Sequence, residues 1–437
     1  MMLTQRGKRA RTVAVVPAMC VAMFFPLSSA QAAALPPGCV GAVTSGNDTV
    51  TCTANLAAGA VIDTGAGDDT IVIKADVLEG AVVRGGAGND KISAYNVGRF
   101  VCPEGKLTPD DFGANDVNGG TLDGGAGDDE ITVGGQARSK ACDKAIAAAT
   151  PNGNVGRHGA VLGGDGKDTI KVGSVGYVYQ PDPDKKNNAS IAHGGRVAGD
   201  AGDDSITIGL ASLGERPPSS EYPNEPDAVF GGAGNDTITL TKIMGAADIY
   251  GDAYAPITGA GNDRISVDTM VSGWVHGGPG DDVITGGALG GASAWLWGDA
   301  GNDTIEAVDL GLGSSLFGGD GNDLLSAKTV NKDGKSIYGN VIGGNGDDKI
   351  DVGLLAGSTS FIRGDGLAGD TDPNHGTGKD TITVDTNNGE IYGGNADDVI
   401  KVKLNNKLVD GGAGTDTCTV EKQGTKSASK SCEKKWV

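Results

Sequence analysis

The stretch "GGAGNDKI" at residues 85–92 recurs along the chain in close variants: "TGAGDDTI" at 64–71, "GGAGDDEI" at 124–131, "GGAGNDTI" at 231–238, "GGPGDDVI" at 277–284, "GGDGNDLL" at 318–325 and "GGNGDDKI" at 343–350. Aligned on its final aspartate, the pattern falls at Asp48, Asp69, Asp90, Asp129, Asp168, Asp204, Asp236, Asp263, Asp282, Asp303, Asp323, Asp348, Asp380, Asp398 and Asp416. Two residues after each aspartate stands Ile, Val or Leu, or in the last copy Cys418. Successive aspartates are 18 residues apart at the closest and 19 to 21 in several other intervals. Repetition on this scale sets the architecture, because one such unit cannot bury its apolar face alone and must stack on its neighbours.

A second fixed column lies two residues before the first glycine of the motif: Val83, Leu122, Val161, Val197, Val229, Ile249, Val275, Leu296, Leu316, Val341, Ile362, Ile391 and Val409. The position between is unconstrained, holding Arg84, Asp123, Phe230, His276, Trp297 or Tyr392. Fixed apolar alternating with free is the period of a strand with one buried face. In the tightest stretch the buried positions run Ile382, Ile391, Ile400, Val409 and Cys418, nine apart each time. A coil of 18 residues therefore has two short strands, one turn of glycine and aspartate and one of looser composition. Stacked coils give an all-β parallel solenoid, two facing parallel sheets with a thin aliphatic core between them. Only 4% of residues are aromatic, as a core this thin requires. Glycine, 76 of 437 residues, supplies positive φ and close backbone approach at the turns. There is no Gly-X-Y triplet to suggest collagen.

At these residues the chain resembles the hemolysin-type calcium-binding (RTX) nonapeptide repeat, G-G-x-G-x-D-x-U-x with U a large aliphatic residue. The likeness covers residues 45–418. It implies a parallel β-roll with Ca²⁺ held between the turns of successive coils. Only one of the two turns per coil keeps the motif, which implies one file of ions along one edge. The metal-ligating residues so implied are Asp69, Asp90, Asp129, Asp168, Asp204, Asp236, Asp263, Asp282, Asp303, Asp323, Asp348, Asp380, Asp398 and Asp416. Ca²⁺ takes six to eight oxygens in forgiving geometry, which suits carboxylates and main-chain carbonyls; Mg²⁺ demands a stricter octahedron. Without the ion, aspartates stacked ~4.8 Å apart repel along the whole edge. Weaker sites are expected beside Lys167 and Lys379, at Ala396, which replaces a motif glycine, and in the first copy, "TSGNDTV".

The formal charge of −21 suits cations and argues against nucleic acid, which attracts Lys and Arg. Arg6, Lys8, Arg9 and Arg11 precede an apolar run from Val13 to Leu27 and then "SSAQAAA", the layout of a cleaved secretory signal over residues 1–34. The run is short and broken by Pro17 and Pro26, and no other stretch is apolar enough to span a bilayer. Six cysteines remain outside the leader, Cys39, Cys52, Cys102, Cys142, Cys418 and Cys432. An even count in an exported protein reads as disulfides, and neighbours 39–52 and 418–432 are expected to pair. Residues 35–60 then form an N-terminal cap and first coil, 61–418 the repeats, and 419–437 a C-terminal cap. Insertions at 96–120, 136–159, 174–195, 211–227 and 366–377 are expected to leave the roll on the edge opposite the ions.

The four histidines are scattered, and no H-E-x-x-H, G-x-S-x-G or C-x-x-C appears. Paired aspartates abound but belong to the turns. One outward column, Phe230, Tyr250, His276, Trp297, Phe317, Ile342, Arg363 and Tyr392 with Trp274 and Trp295 beside it, forms an apolar strip. Such a strip suits polysaccharide or another protein, or serves as a ladder that stabilises the sheet. An ice-binding roll would need threonine ladders in its turns, and only "GTGKD" at 376–380 offers one. The expected function is a secreted, non-enzymatic calcium-binding protein of the cell surface, a matrix or an adhesion layer. The alternative is a polysaccharide-binding or polysaccharide-modifying protein built on the same roll.

Overall fold

The structure, a computed structural model, describes residues 34–78, 80–98, 120–134, 154–156, 159–178, 192–193, 195–213, 228–245, 247–252, 260–290, 293–331, 339–366 and 376–436. Residues 1–33 of the segment read as a signal peptide, Cys102 and Cys142 lie outside them. The chain is all β. A 15-stranded sheet runs in chain order from Val61–Ala66 to Ala428–Lys430, and an 18-stranded sheet faces it. Each coil contributes one strand to each, as Val82–Ala87 and then Lys91–Val97 show. Parallel neighbours need a long crossover, and here the crossover from one strand to the next in a sheet is the strand of the opposite sheet.

Register follows the repeat. Ile71, Ile92, Ile131, Ile170 and Ile206 pair in one line, which continues through Ile238, Ile265, Ile284, Ile305, Leu325, Ile350, Ile382 and Ile400 to Cys418. Opposite it, Ile62, Val83, Leu122 and Val161 open the facing line that ends at Val409. Both columns are buried, and one hydrophobic cluster extends from Val50 to Val420. The alternation of side chains across a strand thus places every fixed apolar position inside.

The ends are built differently. Cys39–Gly41 pairs antiparallel with Thr49–Cys52, and a disulfide joins Cys39 to Cys52. A strand laid across the first coil in the opposite direction keeps another parallel coil from adding there. At the other end Ala428–Lys430 and Lys434–Trp436 each pair parallel with the previous coil, and Cys418 is bonded to Cys432. Residues 419–436 therefore continue the roll by one coil that lacks the glycine turn. No helix among the described residues is long and apolar enough to cross a membrane.

The insertions depart from expectation in one respect. Those that follow Lys91–Val97, Glu130–Val133 and Ser205–Leu213 leave the edge opposite the aspartates. The one at 366–377 does not: it joins Phe361–Asp365 to Thr381–Asn387, strands that flank an aspartate turn. A further interruption in the same kind of turn, between Asp248–Asp252 and Arg264–Met270, was not expected from the sequence.

Candidate metal centre

The fourteen aspartates expected as ligands from Asp69 to Asp416 are all buried, as is Asp48, and the fourteen stand one above another at the turns that follow the strands of the 15-stranded sheet from Val61–Ala66 to Leu408–Ala413. Their carboxylates are used in one repeated way. Oδ1 of each accepts the main-chain N–H of the aspartate one coil earlier: Asp48 N–H donates to Asp69, Asp69 to Asp90, Asp90 to Asp129, and so to Asp398 on Asp416, at 2.7 to 2.9 Å. The aspartate carbonyl is taken as well, since Lys91 N–H reaches Asp69 O at 2.8 Å and Glu130 N–H reaches Asp90 O at 2.8 Å. That leaves Oδ2. In all fourteen it is buried with no hydrogen-bond partner.

The missing partner is explained by what Oδ2 faces. A Cβ added to Gly85 would collide with Asp90 Oδ2 and come 2.6 Å from the Gly124 carbonyl oxygen of the next coil. The same pair, the turn's own Oδ2 and the next coil's first-glycine carbonyl, surrounds Gly124, Gly163, Gly199, Gly231, Gly251, Gly277, Gly298, Gly318, Gly343, Gly364 and Gly393. Each first glycine thus keeps open a cradle walled by one anionic and one neutral oxygen. An oxygen-only donor set with one carboxylate per turn fits Ca²⁺ and offers nothing to softer metals. Among the described residues no three His, Cys, Asp or Glu side chains cluster as a metal site, which agrees with a site whose remaining donors are main-chain oxygens.

Burial dominates the electrostatics. It pushes Asp236, Asp282, Asp348 and Asp380 up to about 8, with neighbouring carboxylates raising them further and the N–H bond to the coil before opposing. Asp129, Asp204, Asp303 and Asp398 are raised to about 7, and Asp90, Asp168, Asp263 and Asp323 to about 6, again by burial first. Burial and neighbouring carboxylates both disfavour the charged form, and a cation beside it would favour it again.

The turns differ in detail. Asp48 is satisfied within its own loop, accepting the N–H and hydroxyl of Thr44. Thr64 stands at the first-glycine position of the Asp69 turn, buried, with its hydroxyl donating to the Gly85 carbonyl at 2.8 Å, so a side chain fills that cradle. Lys167 and Lys379, expected to weaken their sites, point to solvent. One residue from an inward aspartate, they belong to the exposed column in which Asn89 N–H donates to Asp68 Oδ1 and Asp128 N–H to Asn89 Oδ1. Ala396 takes a φ of 75°, a strained value outside glycine. At the last turn the Ser431 carbonyl stands where the next first-glycine carbonyl would be, and a Glu433 Oε2 accepts the Asp416 N–H at 2.6 Å. Sequence reading missed Ser431 and Glu433 because no motif announces them; the disulfide beside them is the only hint.

The outward column is a ladder of rings. Phe230 stacks on Tyr250, Tyr250 on His276, His276 on Trp297 and Trp297 on Phe317, with centroids 5.4, 5.1, 5.9 and 3.8 Å apart and planes within 13°. Arg363 lies over the ring of Tyr392, and Trp274 stacks on Trp295. Faces that stack along the roll axis meet the next coil, leaving edges toward solvent. This is the arrangement of a stabilising ladder. Replacing Trp297 by alanine removes two ring contacts and is expected to cost about 1–3 kcal/mol of stability, read by denaturant unfolding in saturating calcium. No change in midpoint would show that the ladder contributes nothing.

Two facing parallel sheets with a file of carboxylates at one turn per coil define a β-roll of the calcium-binding kind. The family model described as the RTX calcium-binding nonapeptide repeat (4 copies) matches residues 81–96, 121–137, 226–240, 273–288, 290–307 and 314–328. The chain carries calcium-binding RTX repeats in several copies, and these support multiple calcium ions. No curated protein matches it. Among solved structures it is similar, at 18% identity and a TM-score of 0.38, to a hyperactive, Ca²⁺-dependent, β-helical antifreeze protein from an Antarctic bacterium, with 86% of this chain and 80% of that one covered.

Proposed function

We propose that this is an exported, calcium-stabilised β-roll with a non-enzymatic role at a cell surface, in a matrix or in an adhesion layer, its ions held by the aspartates from Asp90 to Asp416. The observation that carries the calcium file is the row of buried Oδ2 atoms without hydrogen-bond partners, each walled in with a carbonyl of the next coil. What supports a non-enzymatic role is the division of labour within each carboxylate: one oxygen holds the preceding coil in register and the other faces the cradle, so neither is left for acid–base chemistry. The two disulfides at the ends support export, because such bonds persist in oxidising compartments. Extracellular calcium modules bind at about 10⁻⁴–10⁻³ M, a concentration met outside cells.

Equilibrium dialysis against calcium at about 1 mM tests the site assignment. About one ion per aspartate turn is expected, roughly a dozen in all, since each turn repeats one donor set. Retention of only one or two ions would sink the file. Washing intact producing cells with chelator tests the location: the protein is expected in the wash, and recovery only from the cytosolic fraction would overturn the surface role.

A further inference from the structure

At the two interrupted turns the residue in the second-glycine position is an aspartate, Asp252 and Asp365. In regular turns that position sets its main-chain carbonyl against the same position of the next coil, as Gly65 O does against Gly86, Gly86 O against Gly125 and Gly319 O against Gly344. Where the insertions begin, a carboxylate oxygen stands there instead: Asp252 Oδ2 against Gly278 and Asp365 Oδ2 against Gly394. The substitution occurs twice, at sites 113 residues apart, each time where an insertion interrupts the motif.

Asp252 is 3% exposed and neither of its oxygens makes a hydrogen bond. The next coil cannot supply one, because the residue after Gly278 is Pro279, which has no N–H. The Gly261 N–H is close enough to favour the charged form but not placed for a normal hydrogen bond. Asp365 is 5% exposed; Asn395 N–H donates to its Oδ2, and its Oδ1 has no partner. Around Asp252 lie the carboxylates of Asp236, Asp263 and Asp282; around Asp365 lie those of Asp348, Asp380 and Asp398. Asp200 and Asp299 provide the contrast. They hold the same motif position in uninterrupted turns, where the backbone takes a φ of 75° and the side chains turn outward to Arg196 and His276. An aspartate is therefore not driven inward by this position as such.

We propose that Asp252 and Asp365 are calcium ligands, each a second carboxylate on the cation of the interrupted Asp263 and Asp380 turns, restoring the oxygen that the insertion displaced. This rests on the calcium reading of the regular turns. A second negative ligand strengthens a calcium site, so these two turns, whose motif an insertion interrupts, hold their ions as firmly as the rest.

The test is a calcium titration followed by far-UV circular dichroism, on the full chain and on the double variant Asp252→Asn with Asp365→Asn. The calcium midpoint is expected to rise about tenfold, with two fewer ions retained on dialysis near the wild-type midpoint. Asp200→Asn with Asp299→Asn is expected to titrate like the wild type. Should the asparagine pair fail to fold, Asp252→Gly with Asp365→Gly installs the residue found in most regular turns and leaves no buried amide behind. A ligand lost to glycine still raises the midpoint; an unpaired carboxylate of no use, once removed, leaves it unchanged or lowers it. An unchanged or lowered midpoint in a chain that still needs calcium overturns the inference, whereas a wild-type chain indifferent to calcium removes the reading beneath it.

Discussion

In excess EGTA at neutral pH the roll is expected to lose its far-UV β signal and expand to the size of an unfolded chain, and to recover both when calcium returns to millimolar levels. Stripped of metal, the thirteen buried Oδ2 atoms from Asp90 to Asp416 face cradles of other oxygens with no donor among them. The effective cost of an uncompensated buried ion is several kcal/mol, and a domain's whole stability is only about 5–15 kcal/mol. A few such charges exceed what the aliphatic core supplies. The core is also thin, a double row of Ile, Val and Leu between two sheets, so it has little to set against self-repulsion in a chain of net charge −21. Metal binding becomes folding free energy in such a case. Mg²⁺ at the same concentration is expected to restore little, because the turns offer too few rigid ligands for its octahedron. A β spectrum indifferent to chelator would mean that hydrogen bonds between coils suffice, and the calcium file would then be decoration.

What could be read from the sequence was whatever shares its period with the structure. The columns from Ile71 to Cys418 and from Ile62 to Val409 are buried in register, because a strand's alternation and the spacing of the repeat leave them no other face. The aspartates were legible for the same reason, as were the disulfides Cys39–Cys52 and Cys418–Cys432, which close short loops at the ends. Signals that break the period were not legible. Asp252 and Asp365 lie in motifs cut in two by insertions, so the glycines that should follow are displaced along the chain. Lys167 and Lys379 are adjacent in sequence to an inward carboxylate, yet alternation carries them to solvent. Thr64 looks like a tolerated variant of glycine until its side chain is found inside the cradle. The aromatic strip was visible as a column, but composition cannot say whether rings present faces to solvent or to each other. Their near-parallel planes settle that in favour of each other.

The metal-free chain should also fold when acidified, with the opposite pH slope to the calcium-loaded one. In the folded, metal-free state burial raises Asp236, Asp282, Asp348 and Asp380 to about 8 and eight further turn aspartates to between about 6 and about 7. In the unfolded chain an aspartate titrates near 4. Between those limits the folded state binds more protons than the unfolded one, so stability falls as pH rises. The favourable contribution is complete below about pH 4 and is lost in steps through the folded values of about 6, 7 and 8. Protonation removes the repulsion and gives each Oδ2 a proton to donate to the carbonyl that walls its cradle. The chelated protein, disordered at pH 8, is therefore expected to gain β signal as the pH falls below about 6, followed at pH 5 to stay above the sequence pI of about 4.5 and checked as a monomer by sedimentation. With calcium bound the sign reverses, because protons compete with the ion for the same oxygens, and stability in calcium falls as pH drops through the same range. A chelated chain still disordered at pH 5, or one that orders only on raising the pH, would show that carboxylate repulsion is not what keeps the metal-free roll from closing.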